Sequence, residues 1–469
     1  MITQNIQHEI RLLSRNYWFV SLTAVLLLLS LYAGHNGLQH FESRQADLNQ
    51  ALADQEEKIQ NVTSVAVAVN NGEEPSNAYR LSPMNIAMST GELATMPPSS
   101  MSKLAIGQSD LFTHQVKISS RDDQATLSFN ELNNPVQLLF GNFDIAFVLA
   151  YLVPLIIIAF TYNLRSQELE SGRLKLLASN PIKTNIWLLQ RFVIRYFSIL
   201  IILSIALLLT ILWVGIPFNF ALLTLLLLTF AYVAFWFGLS FLVNIIGTSS
   251  GKNAMSLLSL WIVLVLILPT VINQAANTIY PMPSRVALLN EIRETKKSLS
   301  EKQDQVLDEY LRNHPELIRD EGQNAYGYWQ GYFASQELME EELAPLIQKF
   351  DNQLAKQQSW VDSWRFLSPV VLFQDAATQL AGTSSKNHKD FQNDVKDFGL
   401  TWRAHFMPYV FKNNTLKLSD LEELPAFSYQ PKPGYTAAYI NLGVLLLLSG
   451  LFAIRGLKLE GKRQLLQVG

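Results

Sequence analysis

The chain reads as a polytopic α-helical membrane protein with six transmembrane helices, an N-terminal amphipathic helix, and a mixed α/β extracytoplasmic domain built from two insertions. Three observations predict this. Apolar residues come in blocks: the runs 17–32, 143–162, 196–215, 220–243, 255–272 and 435–454 contain no Lys, Arg or Glu, and their only Asp is Asp144 at the edge of the second. Most of them reach the roughly 20 residues a helix needs to cross a hydrocarbon core. Second, positive charge gathers in alternate short connections. Third, two long polar segments, 34–142 and 273–434, separate the blocks, so the global 49% hydrophobic content and mean hydropathy of +0.15 average over two solvents.

Orientation follows from Lys and Arg near the ends of the spans. The connection 163–195 carries Arg165, Arg173, Lys175, Lys183, Arg191 and Arg195, whereas the hairpin Ile216-Pro217-Phe218-Asn219 carries none. The former is therefore expected in the cytosol. Alternation then puts both termini there, in agreement with Arg11 and Arg15 before the first span and Arg455, Lys458, Lys462 and Arg463 after the last. The resulting division is 1–33, amphipathic helix and first span; 34–142, first outer segment; 143–272, spans two to five with a cytosolic loop at 163–191; 273–434, second outer segment; and 435–469, sixth span and tail.

Taken in order, Ile6, Ile10, Leu13 and Tyr17 fall at helical spacing among polar residues, as in a helix lying in the membrane interface; a plain extension of the first span is the alternative. A cleaved signal peptide would need a small-residue site, and Tyr32-Ala33-Gly34-His35 matches one poorly, so the span is retained. Beyond it, 40–60 reads as a solvated helix, 62–69 as a strand, 81–101 as loop, and 116–119 with 125–129 as a strand pair. In the second outer segment helices are expected at 284–313 and 337–359. The aromatic run at 326–333 must pack on something.

Several function classes are disfavoured. Gly247-Thr248-Ser249-Ser250-Gly251-Lys252-Asn253 misses the phosphate-binding loop in spacing and in the residue after Lys. No HExxH or GxSxG occurs, and the spans lack the ionisable residues of an ion pathway. Catalytic, cofactor-binding and metal residues are therefore expected to be absent. Met84, Met88, Met96 and Met101 sit in one segment where soft-metal binding and gap-filling are both readings. The absence of Cys means that packing holds any outer domain, and a net charge of −3 without basic tracts gives no sign of nucleic acid. Pro217 marks a turn, while Pro154 and Pro269 should bend spans two and five, for gating or for packing.

One short stretch carries a more specific signal. Glu168, Glu170, Ser171, Gly172, Leu174, Leu176, Leu177, Ser179 and Pro181 resemble the cytosolic loop pattern E-x-E-S-G-x-L-x-L-L-x-S-x-P of ABC-2 type transporter permeases. The resemblance implies that this loop is a coupling helix seated in a cleft of a cytosolic ABC ATPase, and that the N-terminal helix is the elbow helix of the family. It also implies a second permease subunit, identical or related, a bacterial inner membrane, and ATP with Mg²⁺ bound by the partner and not by this chain. Leu174, Leu176 and Leu177 in an otherwise exposed loop would be the apolar anchor, against the alternative of an ordinary solvated, inside-positive loop. Gly107–Leu111, 134–144, Leu367-Ser368-Pro369, Gln374-Asp375-Ala376, Ala381-Gly382-Thr383, His388 and Phe391 resemble motifs of the branch with a large extracytoplasmic domain. Typical members have short outer loops, so the insertions leave open both the substrate and a role as a force transmitter or assembly scaffold that moves none.

Overall fold

The computed structural model describes residues 2–120, 142–173, 184–319, 326–412 and 414–468. Its α-helices of five residues or more, in chain order, are α1 Ile2–Ser14, α2 Tyr17–Asn70, α3 Val153–Thr161, α4 Ser166–Glu170, α5 Thr184–Val214, α6 Phe220–Ile246, α7 Ser250–Trp261, α8 Leu268–Ile279, α9 Arg285–Glu301, α10 Gln303–Asn313, α11 Tyr328–Trp364, α12 Pro369–Ala381, α13 Ser385–Phe411, α14 Leu418–Glu422 and α15 Tyr435–Val468. Six helical stretches among the described residues are long and apolar enough to cross a membrane: Tyr17–Asn70, Ile145–Glu170, Ile186–Val214, Phe220–Ile246, Ser250–Ile279 and Tyr435–Glu460. The chain is a polytopic helical membrane protein.

The amphipathic helix and the first span are separate elements. Asn16 breaks the chain and its side chain accepts from the Trp18 amide at 3.0 Å, capping α2. On α1, Leu13 is buried whereas Ile6 and Ile10 are exposed; Tyr17, expected on the same face, opens the next helix and is 88% exposed. Helix α2 runs for 54 residues, about 80 Å at 1.5 Å per residue, far beyond any hydrocarbon core. It contains the 62–69 stretch expected as a strand. Val62, Val65 and Ala66 are its buried residues there, and their three-and-four spacing is that of a helix face. Alternating Val and Ala fits either period, and packing decides between them.

Helix α6 is the hub of the bundle, with Tyr232, Val233 and Trp236 fully buried. It packs most closely on α15: a Cβ on Gly238 would stand 2.9 Å from the Ser449 carbonyl oxygen, and Ser449 Oγ donates to the Ala234 carbonyl at 2.8 Å. Small residues do the same between α2 and its neighbours, since a Cβ on Gly37 would collide with the Lys103 carbonyl oxygen. The α5–α6 hairpin turns as expected around Pro217, with Gly215 at φ 68° and Asn219 capping α6.

Both prolines within spans follow one rule. Pro154 comes just after a π-helical turn, Val148–Leu152, and Pro269 after another, Ile262–Ile267. A proline has no N–H, so each leaves a carbonyl one turn back unpaired within apolar surroundings. Tyr232 Oη donates to the Ala150 carbonyl at 2.6 Å, and Ser368 Oγ donates to the Leu264 carbonyl at 2.7 Å. Neighbouring hydroxyls thus restore what the prolines removed, as a spanning helix requires.

The two insertions fold together. One hydrophobic cluster joins Val62, Ala94 and Ile118 of the first to Phe391, Trp402 and Phe406 of the second, and another fills the space among α9, α10, α11 and α13. The only sheet among the described residues is a hairpin of β1 Glu92–Thr95 and β2 Gln115–Ile118, antiparallel with Glu92 opposite Ile118. β1 lies in the stretch expected as loop, and the 125–129 strand lies outside the described residues. Helix 284–313 is split at Lys302, and α11 begins at Tyr328 because the aromatic run forms its first turns, burying Phe333. Met84, Met96 and Met101 are divided among three separate hydrophobic clusters. Helix α12 of the second insertion packs among the spans themselves, with Leu372, Phe373, Ala376 and Ala377 fully buried and the Phe373 ring 4.9 Å from that of Tyr232.

Candidate coupling site

At the end of the bundle opposite the insertions, the chain leaves α3 through a turn and forms α4, only five residues long. So short a helix has no stability of its own. Its position is set by side chains that fasten it to its neighbours. Glu168 Oε1 lies 3.2 Å from Arg191 Nη1 and Glu168 Oε2 lies 3.0 Å from Arg173 Nε. Arg191 also pairs with Glu9 of α1, and Arg195 Nε stands 3.2 Å from the second oxygen of Glu9. The Arg191 guanidinium donates to the Leu164 carbonyl at 3.1 Å and covers the Trp187 ring at 5.0 Å. Two carboxylates and three guanidiniums therefore link α1, α4 and α5, with the Glu9 side chain only 3% exposed. Buried charges of this kind persist only as a fully paired set.

Glu170 faces the other way. Its two oxygens accept from the Ser250 backbone amide at 2.7 Å and from Ser250 Oγ at 2.9 Å. That amide belongs to the first turn of α7, where Ser249 is the N-cap, so the carboxylate meets the positive end of the helix dipole. Ser166 Oγ lies 3.0 Å from Ser250 Oγ, and Asn253 Nδ2 donates to the Tyr162 carbonyl at 3.0 Å. The segment that misses the phosphate-loop pattern is thus a cap and a clasp for α4.

A buried polar seam continues into α6 and α15. Asn244 Nδ2 donates to the Thr161 carbonyl at 2.8 Å, Ser240 Oγ donates to Thr161 Oγ1 at 2.6 Å, and Arg165 Nη2 lies 3.3 Å from Glu460 Oε2. Spans two to six, together with α1, all converge on α4 and its turn.

Of the residues singled out from sequence, Glu168 and Glu170 are engaged by this chain's own side chains. Ser171 Oγ accepts from Arg173 Nε at 2.9 Å. Gly172 turns the chain at φ 71°, where an L side chain would be strained even though a Cβ would meet nothing within 4 Å. Leu174, Leu176, Leu177 and Pro181 lie outside the described residues. Sequence reasoning missed Glu9, Ser250, Asn244, Asn253 and Glu460, and took Arg191 and Arg195 only as topological charge. The available signal was Asn244 and Asn253 flanking apolar runs, where a lone amide needs a partner.

The motifs near the insertions also converge. Asp144 caps the start of span two by accepting from the Phe147 amide at 2.7 Å, and its other oxygen accepts from the amides of Ile106 at 2.7 Å and Gly107 at 3.3 Å. Asn142 Nδ2 donates to Asp110 at 2.9 Å, and Thr383 Oγ1 donates to the Ala105 carbonyl at 2.7 Å. Span two therefore has one end held by the insertions and the other by the α4 network.

Residues 285–430, which include α9 to α14, match the family model described as Domain of unknown function (DUF3526). Neither a curated protein nor a solved structure matches the chain.

Proposed function

We propose that the chain is the permease subunit of an ABC-2 type exporter complex in a bacterial inner membrane, driven by a separate cytosolic ABC ATPase that binds ATP and Mg²⁺. The observation that carries this reading is the fastening of α4. A helix of five residues tied with its turn to spans three, five and six, and through Arg191 to α1, cannot be displaced without moving them. In this reading residues 174–183 meet the ATPase, while Glu168 and Glu170 pass its motion inward; they are positioning residues. The wide exposed face of span five, where Met255, Leu258 and Ile267 lie open, suits a second permease subunit.

A second reading is supported by the junction at Asp144. Span two connects α4 directly to the point where both insertions meet, so ATP-driven motion of α4 would also move the insertion domain. The chain would then act as a mechanotransmitter on a partner outside, with no substrate crossing.

Affinity purification of the full chain from its native membrane, with ATP hydrolysis measured on the eluate, tests the first step. Recovery of an ABC ATPase that is lost on Leu174→Glu/Leu177→Glu supports a driven subunit, and recovery of the intact chain with no ATPase refutes it. Crosslinking α11 to α12 within the insertion domain separates the two readings: transmission to an outside partner would stop, whereas substrate export through the bundle would persist.

A further inference from the structure

Between the end of α11, the polar edge of α12 and the first turns of α13 and α15 lies a cavity of about 1090 Å³. Its chemistry changes from one side to the other. Lys386, Lys389 and Lys432 stand on its rim, exposed, and none of the three ammonium groups forms an ion pair among the described residues. The acidic lining is largely spoken for: Arg365 Nη1 lies 3.0 Å from Asp375 and 3.5 Å from Asp362, and Asp375 also accepts from Asn441 at 3.2 Å. Asp390 is the one rim carboxylate left to oppose the lysines. The other side is apolar, formed by Phe366, Ala437 and Ile440.

The apolar side does not stop at the cavity. Ile440, Leu447, Leu451 and Ile454 are all about half exposed, and their spacing of seven, four and three places them on one face of α15. The stripe starts in the cavity and descends the sixth span. Aromatic rings stand at the same level, Trp360 packing 5.5 Å from Trp364 and 6.3 Å from Tyr280, as side chains do at a membrane boundary.

A cationic rim at the mouth of an apolar stripe, at the level where a span begins, matches the two halves of one molecule. We propose that this cavity is a site for an anionic phospholipid, its phosphate held by Lys386, Lys389 and Lys432 and its acyl chain lying from Phe366 and Ile440 along α15. The positive end of α13, which begins at Ser385 beside the lysines, adds to the attraction for the phosphate. Such a site is independent of the permease reading.

Native mass spectrometry of the full chain in mild detergent, titrated with phosphatidylglycerol, phosphatidylcholine or inorganic phosphate, tests it. Phosphatidylglycerol should be retained over phosphatidylcholine, should weaken as salt rises, and should resist displacement by millimolar inorganic phosphate, because the acyl chain contributes. The triple variant K386E/K389E/K432E should bind it about 100-fold more weakly, at roughly fivefold per lysine, and the triple Arg variant should bind as the original does. Ala437→Trp fills the apolar side without altering charge and should also release the lipid, so a misfolded triple variant does not remove the test. Undiminished phosphatidylglycerol binding by Ala437→Trp, equal retention of the two lipids, or displacement by inorganic phosphate alone would overturn the proposal.

Discussion

Glu9 is the residue on which the α4 network depends most, and replacing it with Gln isolates that dependence. The carboxylate is almost wholly buried and contacts Arg191 and Arg195 at once. Removing one partner of a buried pair costs about 3–5 kcal/mol, because the opposite charge is left uncompensated. Here the lower end applies, since Arg191 keeps Glu168 and the Leu164 carbonyl, and Arg195 keeps the Phe160 carbonyl. A local loss of about 3 kcal/mol corresponds to amide exchange faster by about 100-fold where exchange proceeds by local opening. The measurement is hydrogen–deuterium exchange by mass spectrometry on the full chain in lipid nanodiscs. Peptides from α1 should exchange faster, and so should peptides covering α4, although Glu9 does not touch α4: the effect must pass through Arg191 to Glu168. Loosening confined to α1, with α4 protected as before, would show that the five charges do not act as a unit and would refute the argument.

Three further outcomes follow from other contacts. Tyr232→Phe should lower thermal stability by about 1–3 kcal/mol, the cost of an unpaired buried carbonyl at Ala150; adding Pro154→Ala, which returns an N–H to the helix, should recover most of it in a double-mutant comparison of melting curves. Glu170→Ala should loosen α4 from α7 more than Ser250→Ala does when α4 exchange is measured, because the alanine at 250 keeps the backbone amide that reaches Glu170, whereas the alanine at 170 removes both bonds. Acidification should weaken the insertion domain through His388, whose ring is stacked 4.4 Å from Phe112 and whose burial pulls its pKa down to about 4. A folded pKa below the unfolded value of about 6.5 means that this contribution is complete above that value and is lost as pH falls towards 4; His388→Phe, which keeps the stacking, should flatten that part of the pH–stability curve.

The spans, their order and the turn at Pro217 were legible because an apolar block of membrane length has few alternative readings. The boundaries of α2 were not, since Val62 to Val69 satisfies both a period of two and a helical face, and the deciding contacts come from Phe391 and Trp402, more than 300 residues away. At the candidate site, Glu168 and Glu170 were legible as a pattern, but their destinations were not. Charge counting placed Arg191 and Arg195 beside a membrane without showing that they face Glu9. The role of α12 was equally hidden: Leu367 to Thr383 stood out only as short motifs in a polar insertion, and only the freed carbonyl of Leu264 explains why Ser368 stands before Pro369.

The two proline bends bear on how motion could travel through the bundle. A straight helix fixed at both ends transmits a push as a rigid rod, whereas a helix with a π turn and a proline has one place at which its direction can change without breaking further hydrogen bonds. In span two that place lies between the Asp144 junction and α4, and in span five it lies between Ser250 and the end that meets α11. The hydroxyls that cap the two bends come from α6 and from the start of α12, so each bend is held by an element other than its own span. A displacement of α4 therefore reaches the insertion domain by two routes, along span two to Asp144 and along span five to Ser368. Both routes end at α12, the helix that packs against α6 and α15 and sits beside the lysine-rimmed cavity. On either reading proposed above, export or force on a partner would require α12 to move relative to α6, and a disulfide engineered between those two helices should abolish that action while leaving the proposed ATPase association intact.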